Sequence, residues 1–275
     1  MTIQAVTIDD IYHAMDQNHK RYDHRAIRKA WEYMEQKHQG VTRVSGEPYS
    51  QHPLRVALLV AEWGFESSVV IAALLHDVVE DTETSLSEIK DIFGTPVKEM
   101  VDAVTKVKKA LDDREKLPKS EQNRQSDVKF LDTVDDRSLF IKVADRIDNL
   151  STIDVMPPEK QILKAVHTRD IIIPTLKLEG AYRLVDELES LCFRIEHREQ
   201  YEAILSKVAQ ITAVNEHSIR ETLTLMKHTF LNSGKASSLS KYSEGIAEFS
   251  WKKRSPISLF RQISRNASRL RDPIG

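Results

Sequence analysis

Cysteine is almost absent from this 275-residue chain: Cys192 stands alone, which excludes an intrachain disulfide and a zinc site built on cysteines. Such sparing use fits a reducing compartment. Glycine and proline are also scarce, at 8 and 9 residues. That scarcity disfavours a turn-rich β fold and predicts long helices. Neither sign of charge dominates, since 40 Lys and Arg against 42 Asp and Glu give a net charge of −2. A balance so near zero argues against a chain whose main task is holding nucleic acid. No run approaches the roughly 18 consecutive apolar residues of a membrane span; Val56 to Ala61 and Val69 to Leu75 have the size of core helices. The start, Met1 to Val6, lacks the basic and then apolar pattern of a secretory signal. Hydrophobic residues nevertheless make up 40% of the chain, enough for a sizeable core. The expectation is a soluble, cytoplasmic, helical protein with no membrane partner and no specific nucleic acid.

Helical spacing runs through most of the sequence. Ile11, Met15, His19 and Tyr22 recur at three and four residues, as do Ile27, Ala30, Trp31 and Met34. Residues Gly40 to Pro53 read as a loop, with Pro53 opening a helix over Leu54–Trp63 that Gly64 ends. Ser67 or Ser68 is placed to cap a buried helix over Val69–Val79, and Ser85 with Glu88 forms a capping box for Leu86–Phe93. The next helix covers Val97–Val107, and the highly charged stretch Lys108–Asp127 reads as a loop or a frayed helix. Helical pattern returns over Val128–Ile153, turns at Met156–Glu159, runs Lys160–Ile173, breaks at Pro174 and resumes from Tyr182 to about Leu231. Asn232-Ser233-Gly234 is a stop. The 42 residues beyond Ser233 are Ser-rich and basic, with nine Lys or Arg against three acids. The domain expectation is therefore 1–195, a helical extension over 196–233, and a basic tail over 234–275.

Chemistry concentrates at His76-Asp77-Val78-Val79-Glu80-Asp81, which follows an apolar stretch. Charged side chains are rarely buried without partners. On a continuous helix Glu80 stacks over His76 and Asp81 over Asp77. A bare His-Asp dipeptide is most often a buried pair or an acidic helix end. Two more residues change that balance. His52 opens the preceding helix, and Asp145 is set into the apolar run Leu139–Ala144. Two imidazoles and two carboxylates from three helices suit Mn, Fe or another divalent ion with positions left for water. Such an ion acidifies water and offsets phosphate charge. Glu80 and Asp81, one turn on, are placed to orient or deprotonate that water.

The same residues carry a resemblance. Ser45-Gly46-Glu47-Pro48-Tyr49 with His52-Pro53, His76 to Thr82, Phe93-Gly94, Val104-Thr105-Lys106, Ile141 to Arg146 with Asn149, Pro158 to Gln161 and Glu187 to Phe193 occur in one order. From about residue 10 to 195 the chain resembles the HD-type hydrolase domain of the RelA/SpoT homologue family, the enzymes of guanosine tetra- and pentaphosphate metabolism. The resemblance implies an all-α helical-bundle hydrolase with one Mn2+ held by His52, His76, Asp77 and Asp145. It implies Glu80 and Asp81 as the catalytic pair, Arg43 stacked on the purine with Ser45 at the base edge, and Asn149 and Thr152 along the ribose. Lys106, Lys108, Lys142 and Lys164 are candidates for phosphate contact. The implied reaction is hydrolysis of the 3′-diphosphate of (p)ppGpp, releasing pyrophosphate and GDP or GTP.

Departures from the family pattern bear on the base rather than on catalysis. Arg43-Val44 stands where relatives read Arg-Lys. Asp148 stands for a His and Ser151 for an Arg in Asp-Arg-Leu-His-Asn-Met-Arg-Thr. Thr175 to Gly180 replaces Leu-Ala-x-Arg-Leu-Gly. Hydrolysis of adenosine alarmones or other 3′-phosphorylated nucleotides is therefore the first alternative. A nucleotide-binding or antitoxin partner of an alarmone-making toxin is the second. A homo-oligomer is compatible with the sequence. Trp251 to Arg261 faintly resembles the opening of the family's synthetase domain, but 275 residues leave no room for that domain, so alarmone synthesis is not expected.

Overall fold

A computed structural model describes residues 5–18, 21–115, 131 and 134–206. The chain divides into two units, Met1–Ile195 and Glu196–Gly275, and the fold below is that of the first. The expected boundary between 233 and 234 lies outside the described residues. Apart from an isolated bridge between Thr42 and Pro48, the described residues carry no extended pairing; the fold is all-α.

The helices are α1 Ile8–Gln17, α2 His24–Lys37, α3 Gln51–Glu62, α4 Ser67–Leu75, α5 Val78–Asp81, α6 Leu86–Phe93, α7 Thr95–Glu115, α8 Asp136–Ser151, α9 Pro158–His167, α10 Ile173–Leu178 and α11 Tyr182–Glu196. A 3-10 turn at Ile153–Val155 and a π turn at Thr168–Ile172 join the later ones. Helix α4 is buried from Val69 to Leu75 and packs against α2, α3, α7 and α8. A helix apolar on every side belongs at the centre of a core. Helix α8 is buried along most of its length from Ser138 to Leu150. Its Ile141 and Ala144 join the core of α1–α4 and α7, whereas Leu139, Val143, Ile147 and Leu150 join a second core with α9–α11. The polar residues Lys142, Asp145, Arg146 and Asp148 of α8 are therefore enclosed, and each needs a partner.

Several local features differ from the sequence reading. The helix expected over Val69–Val79 breaks at His76 and Asp77, and α5 is a separate turn with Asp77 as its N-cap. Glu66, not Ser67 or Ser68, caps α4; Ser67 Oγ instead accepts from Asp23 N, and Ser68 Oγ donates to Glu66. Only half of the expected capping box forms: Ser85 Oγ accepts from Glu88 N, while the Glu88 carboxylate is taken by Tyr33 and Lys37. Helix α7 continues to Glu115, eight residues past the expected end, into the charged stretch; the remainder to 127 lies outside the described residues. Pro174 does not interrupt the chain's helical course. A π turn precedes it, which accommodates the missing amide and the ring, and α10 follows directly. The pattern expected to about Leu231 is described only as far as residue 206.

Candidate metal centre and nucleotide cavity

His52 enters from the first turn of α3, His76 from the end of α4, Asp77 from the cap of α5 and Asp145 from the middle of α8. All four are buried. One ligand atom each of His52, His76 and Asp77 lies within 4.8 Å of the others. Asp145 Oδ1 lies 3.3 Å from His52 Nε2 and 4.0 Å from His76 Nε2. The tautomers follow from the partners. His76 Nδ1 meets the Ala73 carbonyl at 2.8 Å, and a carbonyl only accepts, so Nδ1 carries the proton. His52 Nδ1 meets Asp148 Oδ2 at 2.6 Å and donates likewise. Both Nε2 atoms face the carboxylates. His76 Nε2, in a residue only 1% exposed, makes no hydrogen bond although Asp77 Oδ2 is 3.3 Å away.

The electrostatics of the centre fit a cation. Burial opposes charge on His52, yet hydrogen bonds to Asp145, Asp148 and Asp77 outweigh it and push the imidazole up to about 10. Burial would raise Asp77 and Asp145, but the neighbouring imidazoles and lysines hold both carboxyls well below the ordinary value. A buried nitrogen without a hydrogen bond beside ionised carboxylates is the donor set of a divalent ion with mixed N and O ligands. The residues present fit such a group.

The acid pair reaches this centre through two side chains. Lys108 Nζ donates to Asp77 Oδ1 at 3.0 Å and pairs with Glu80 Oε2 at 2.7 Å. The Tyr49 hydroxyl donates to Asp77 Oδ2 at 2.8 Å and also contacts Asp81 Oδ2. Asp81 N still bonds to Asp77 O at 2.9 Å, so Asp81 stays one turn from Asp77 despite the broken helix. Burial raises the Glu80 carboxyl, with Lys108 opposing. Burial also raises the Tyr49 phenol, and Asp77 and Asp81 raise it further, so it stays protonated.

A single cavity gathers Arg43, Ser45, Tyr49, His52, Asp77, Lys108, Lys142, Asp145, Asn149, Thr152 and Lys164. On α8 the residues Lys142, Asp145, Asn149 and Thr152 repeat at helical spacing and turn one polar stripe toward it. Lys142 Nζ bonds to Asp145 Oδ2 at 2.6 Å, Asn149 Nδ2 donates to Asp145 Oδ1, and Thr152 Oγ1 donates to the Asp148 carbonyl at 3.0 Å. Arg43 Nη2 donates to Asn149 Oδ1 at 2.6 Å. Glu80, Asp81 and His76 do not line the cavity itself. Lys106 points away, 72% exposed in its side chain, and bonds to Asp102.

Four residues were not singled out for a role by the sequence. Tyr49 joins Asp77 to Asp81. Arg55, Glu47 and Asp148 form a chain in which Arg55 and Asp148 are buried and Glu47 half-buried: Arg55 Nη1 and Nη2 fork onto Glu47 at 2.9 and 2.7 Å, and Arg55 Nε donates to Asp148 Oδ1. An arginine in the apolar helix α3 was the available signal.

A family model described as HD domain matches residues 30–174. The chain is 38% identical over 215 residues to a protein of Mycobacterium leprae (strain TN) named probable GTP pyrophosphokinase, covering 76% of this chain and 27% of that one. It is 37% identical over 196 residues to a protein of Aquifex aeolicus (strain VF5) named guanosine-3′,5′-bis(diphosphate) 3′-pyrophosphohydrolase, covering 71% of this chain and 27% of that one. The chain thus spans little more than a quarter of the length of these curated relatives. A solved structure described as a metazoan ortholog of SpoT that hydrolyzes ppGpp superposes with a TM-score of 0.52 at 27% identity. The match covers 65% of this chain and 99% of that one. Among the described residues no helix is long and apolar enough to cross a membrane.

Proposed function

This chain belongs to the HD domain family, and from that premise we propose that it hydrolyses the 3′-diphosphate of (p)ppGpp, with one divalent ion, Mn2+, held by His52, His76, Asp77 and Asp145. The observation that carries the reading is the convergence of two imidazole Nε2 atoms and two ionised carboxylates, of which His52, Asp77 and Asp145 line a cavity that also carries Arg43, Lys108, Lys142 and Lys164. It is supported by a relative and a structural neighbour whose descriptions name hydrolysis of this nucleotide. The reading carries with it a cytoplasmic enzyme and a domain over 1–195.

When bound, the ion supplies positive charge that acidifies water and offsets phosphate charge. The chain's own residues do the rest. Glu80 and Asp81 handle the proton: an oxygen–phosphorus bond forms from water, the bond from phosphorus to the 3′-oxygen breaks, and the proton taken from water is returned to the leaving 3′-oxygen. Lys108 keeps Glu80 beside Asp77, and Lys142 and Lys164 bring charge to the phosphate side of the cavity. Arg43 and Ser45 receive the base, and Asn149 and Thr152 the ribose.

Val44 favours a second specificity. This side chain lies on the cavity wall, 83% exposed, and adds no charge beside the base. The test for both is pyrophosphate release from guanosine and adenosine 3′-diphosphonucleotides with Mn2+ added or chelated. Release from the guanosine substrates, dependent on Mn2+ and lost in His76→Ala, is expected. Release from adenosine substrates alone transfers the assignment to those. No release from either, in a folded protein that binds Mn2+, removes the enzymatic reading.

A further inference from the structure

We infer that Asp148 is a positioning residue for the metal centre: it fixes the tautomer and orientation of His52 without being a ligand. The inference rests on the reading of His52 as a ligand through Nε2. A neutral imidazole that ligates through Nε2 must hold its proton on Nδ1, and whatever accepts that proton decides which way the ring faces and how basic it is. For His76 the acceptor is a backbone carbonyl, at 2.8 Å. For His52 it is the Asp148 carboxylate, at 2.6 Å, with both side chains about 3% exposed. A charge-assisted bond of this kind is roughly twice as strong as a neutral one.

The surroundings of Asp148 separate positioning from ligation. Oδ1 accepts from Arg55 Nε, and Oδ2 accepts from His52 Nδ1, from Arg43 Nη1 at 3.0 Å and from Arg55 Nη2 at 3.3 Å. Oδ2 meets His52 at Nδ1, across the ring from the Nε2 that faces Asp77 and Asp145, so Asp148 lies on the far side of the imidazole from the centre. A buried carboxylate is costly unless paired, and here the pairing is built in depth, because Glu47 in turn holds Arg55 by two bonds. The alternation Glu47, Arg55, Asp148, His52 runs from the loop before α3 to the centre. Arg43 joins the same carboxylate to the wall expected to receive the base, so one side chain orders a ligand and a substrate-facing cation together.

The test uses the full chain and Mn2+ as the probe. Calorimetric titration of wild type, Asp148→Asn and His76→Ala, with melts by circular dichroism, should give a folded Asp148→Asn whose Mn2+ affinity falls about 10–100-fold, and no binding in His76→Ala. Wild-type affinity in Asp148→Asn, with binding still lost in His76→Ala, overturns the role of Asp148 and leaves the metal reading standing. Equal binding by wild type and His76→Ala overturns the metal reading instead. A measurement independent of variant folding is the 15N spectrum of imidazole-labelled wild type loaded with diamagnetic Zn2+. A proton on His52 Nδ1 is expected, and a proton on Nε2 overturns the inference.

Discussion

Tyr49 lies face to face with His38, ring centroids 4.5 Å apart and planes within 12° of parallel. The stack holds the phenol rigid, with its hydroxyl against Asp77 and Asp81. His38 is itself buried and tied through Nδ1 to the Met34 carbonyl at 3.1 Å, so the arrangement is anchored in α2. Tyr49→Phe keeps the ring stack and removes only the hydroxyl. Turnover is expected to fall about 10–100-fold, the worth of a hydrogen bond to a charged group, with Mn2+ still bound and the melt little changed. Steady-state kinetics beside a metal titration read this directly; unchanged kcat would show that Asp81 holds its place without Tyr49.

Glu80→Gln should keep metal and nucleotide binding and lose roughly 10²–10⁴-fold in kcat, as expected of a general acid–base group. A variant that loses Mn2+ instead would make Glu80 a ligand.

The same carboxyl sets a pH dependence. Burial raises it above 4.5, so the ionised, proton-accepting form is lost sooner as pH falls. The acid limb of kcat/KM should therefore lie above the value of an ordinary glutamate. Lys108 opposes that rise, and Lys108→Met should push the limb higher still. A limb that moves downward in Lys108→Met would assign it to another group.

Away from the site, Glu88 accepts from Tyr33 Oη at 2.5 Å and from Lys37 Nζ at 3.1 Å, and these bonds lower its carboxyl, the Tyr33 bond most. A group depressed in the folded state contributes its stability above its unfolded value of 4.5 and loses it as pH falls through the folded value. Glu88→Gln should thus melt lower than wild type at neutral pH and converge with it in acid. Parallel melting curves across that range would count against the pairing.

All cavity residues lie between Arg43 and Lys164. A chain ending at Ser233 should keep its Mn2+ affinity and its turnover to within a few-fold, with solubility or association free to change. Loss of hydrolysis in a truncated protein that folds and binds Mn2+ would place part of the site beyond residue 233.

The convergence of His52, His76, Asp77 and Asp145 was legible in the sequence because polar residues in apolar helices have nowhere to go but a shared polar interior. Lys142, Asn149 and Thr152 were reached only through the family resemblance, and that they share one polar face of α8 with Asp145 appears in the structure. The chain from Glu47 through Arg55 to Asp148 was not legible. It joins positions 93 residues apart, and periodicity carries no record of which distant partner a buried charge will take. The break at His76 was hidden too. Neither residue 76 nor 77 is a helix breaker, and the backbone departs from α4 only where His76 and Asp77 turn to their partners. Asp148 was visible only as a departure from the family pattern, and its bond to His52 appears once α3 and α8 are packed together.

The loop between Thr42 and Pro48 is clamped at both ends. Arg43 N bonds to Glu47 O at 2.9 Å, Gly46 N bonds to Arg43 O at 2.8 Å, and Gly46 takes the left-handed φ of 85° that such a tight return needs. Side-chain clamps fall on Arg43 and Glu47, while Val44 and Ser45 face the cavity and none of the four proposed metal ligands belongs to the loop. Under the proposed function the loop and the buried centre are therefore separable: substitution at positions 44 and 45 should retune which base is accepted and leave His52, His76, Asp77 and Asp145 undisturbed. Such a change would be one of diet, not of machinery.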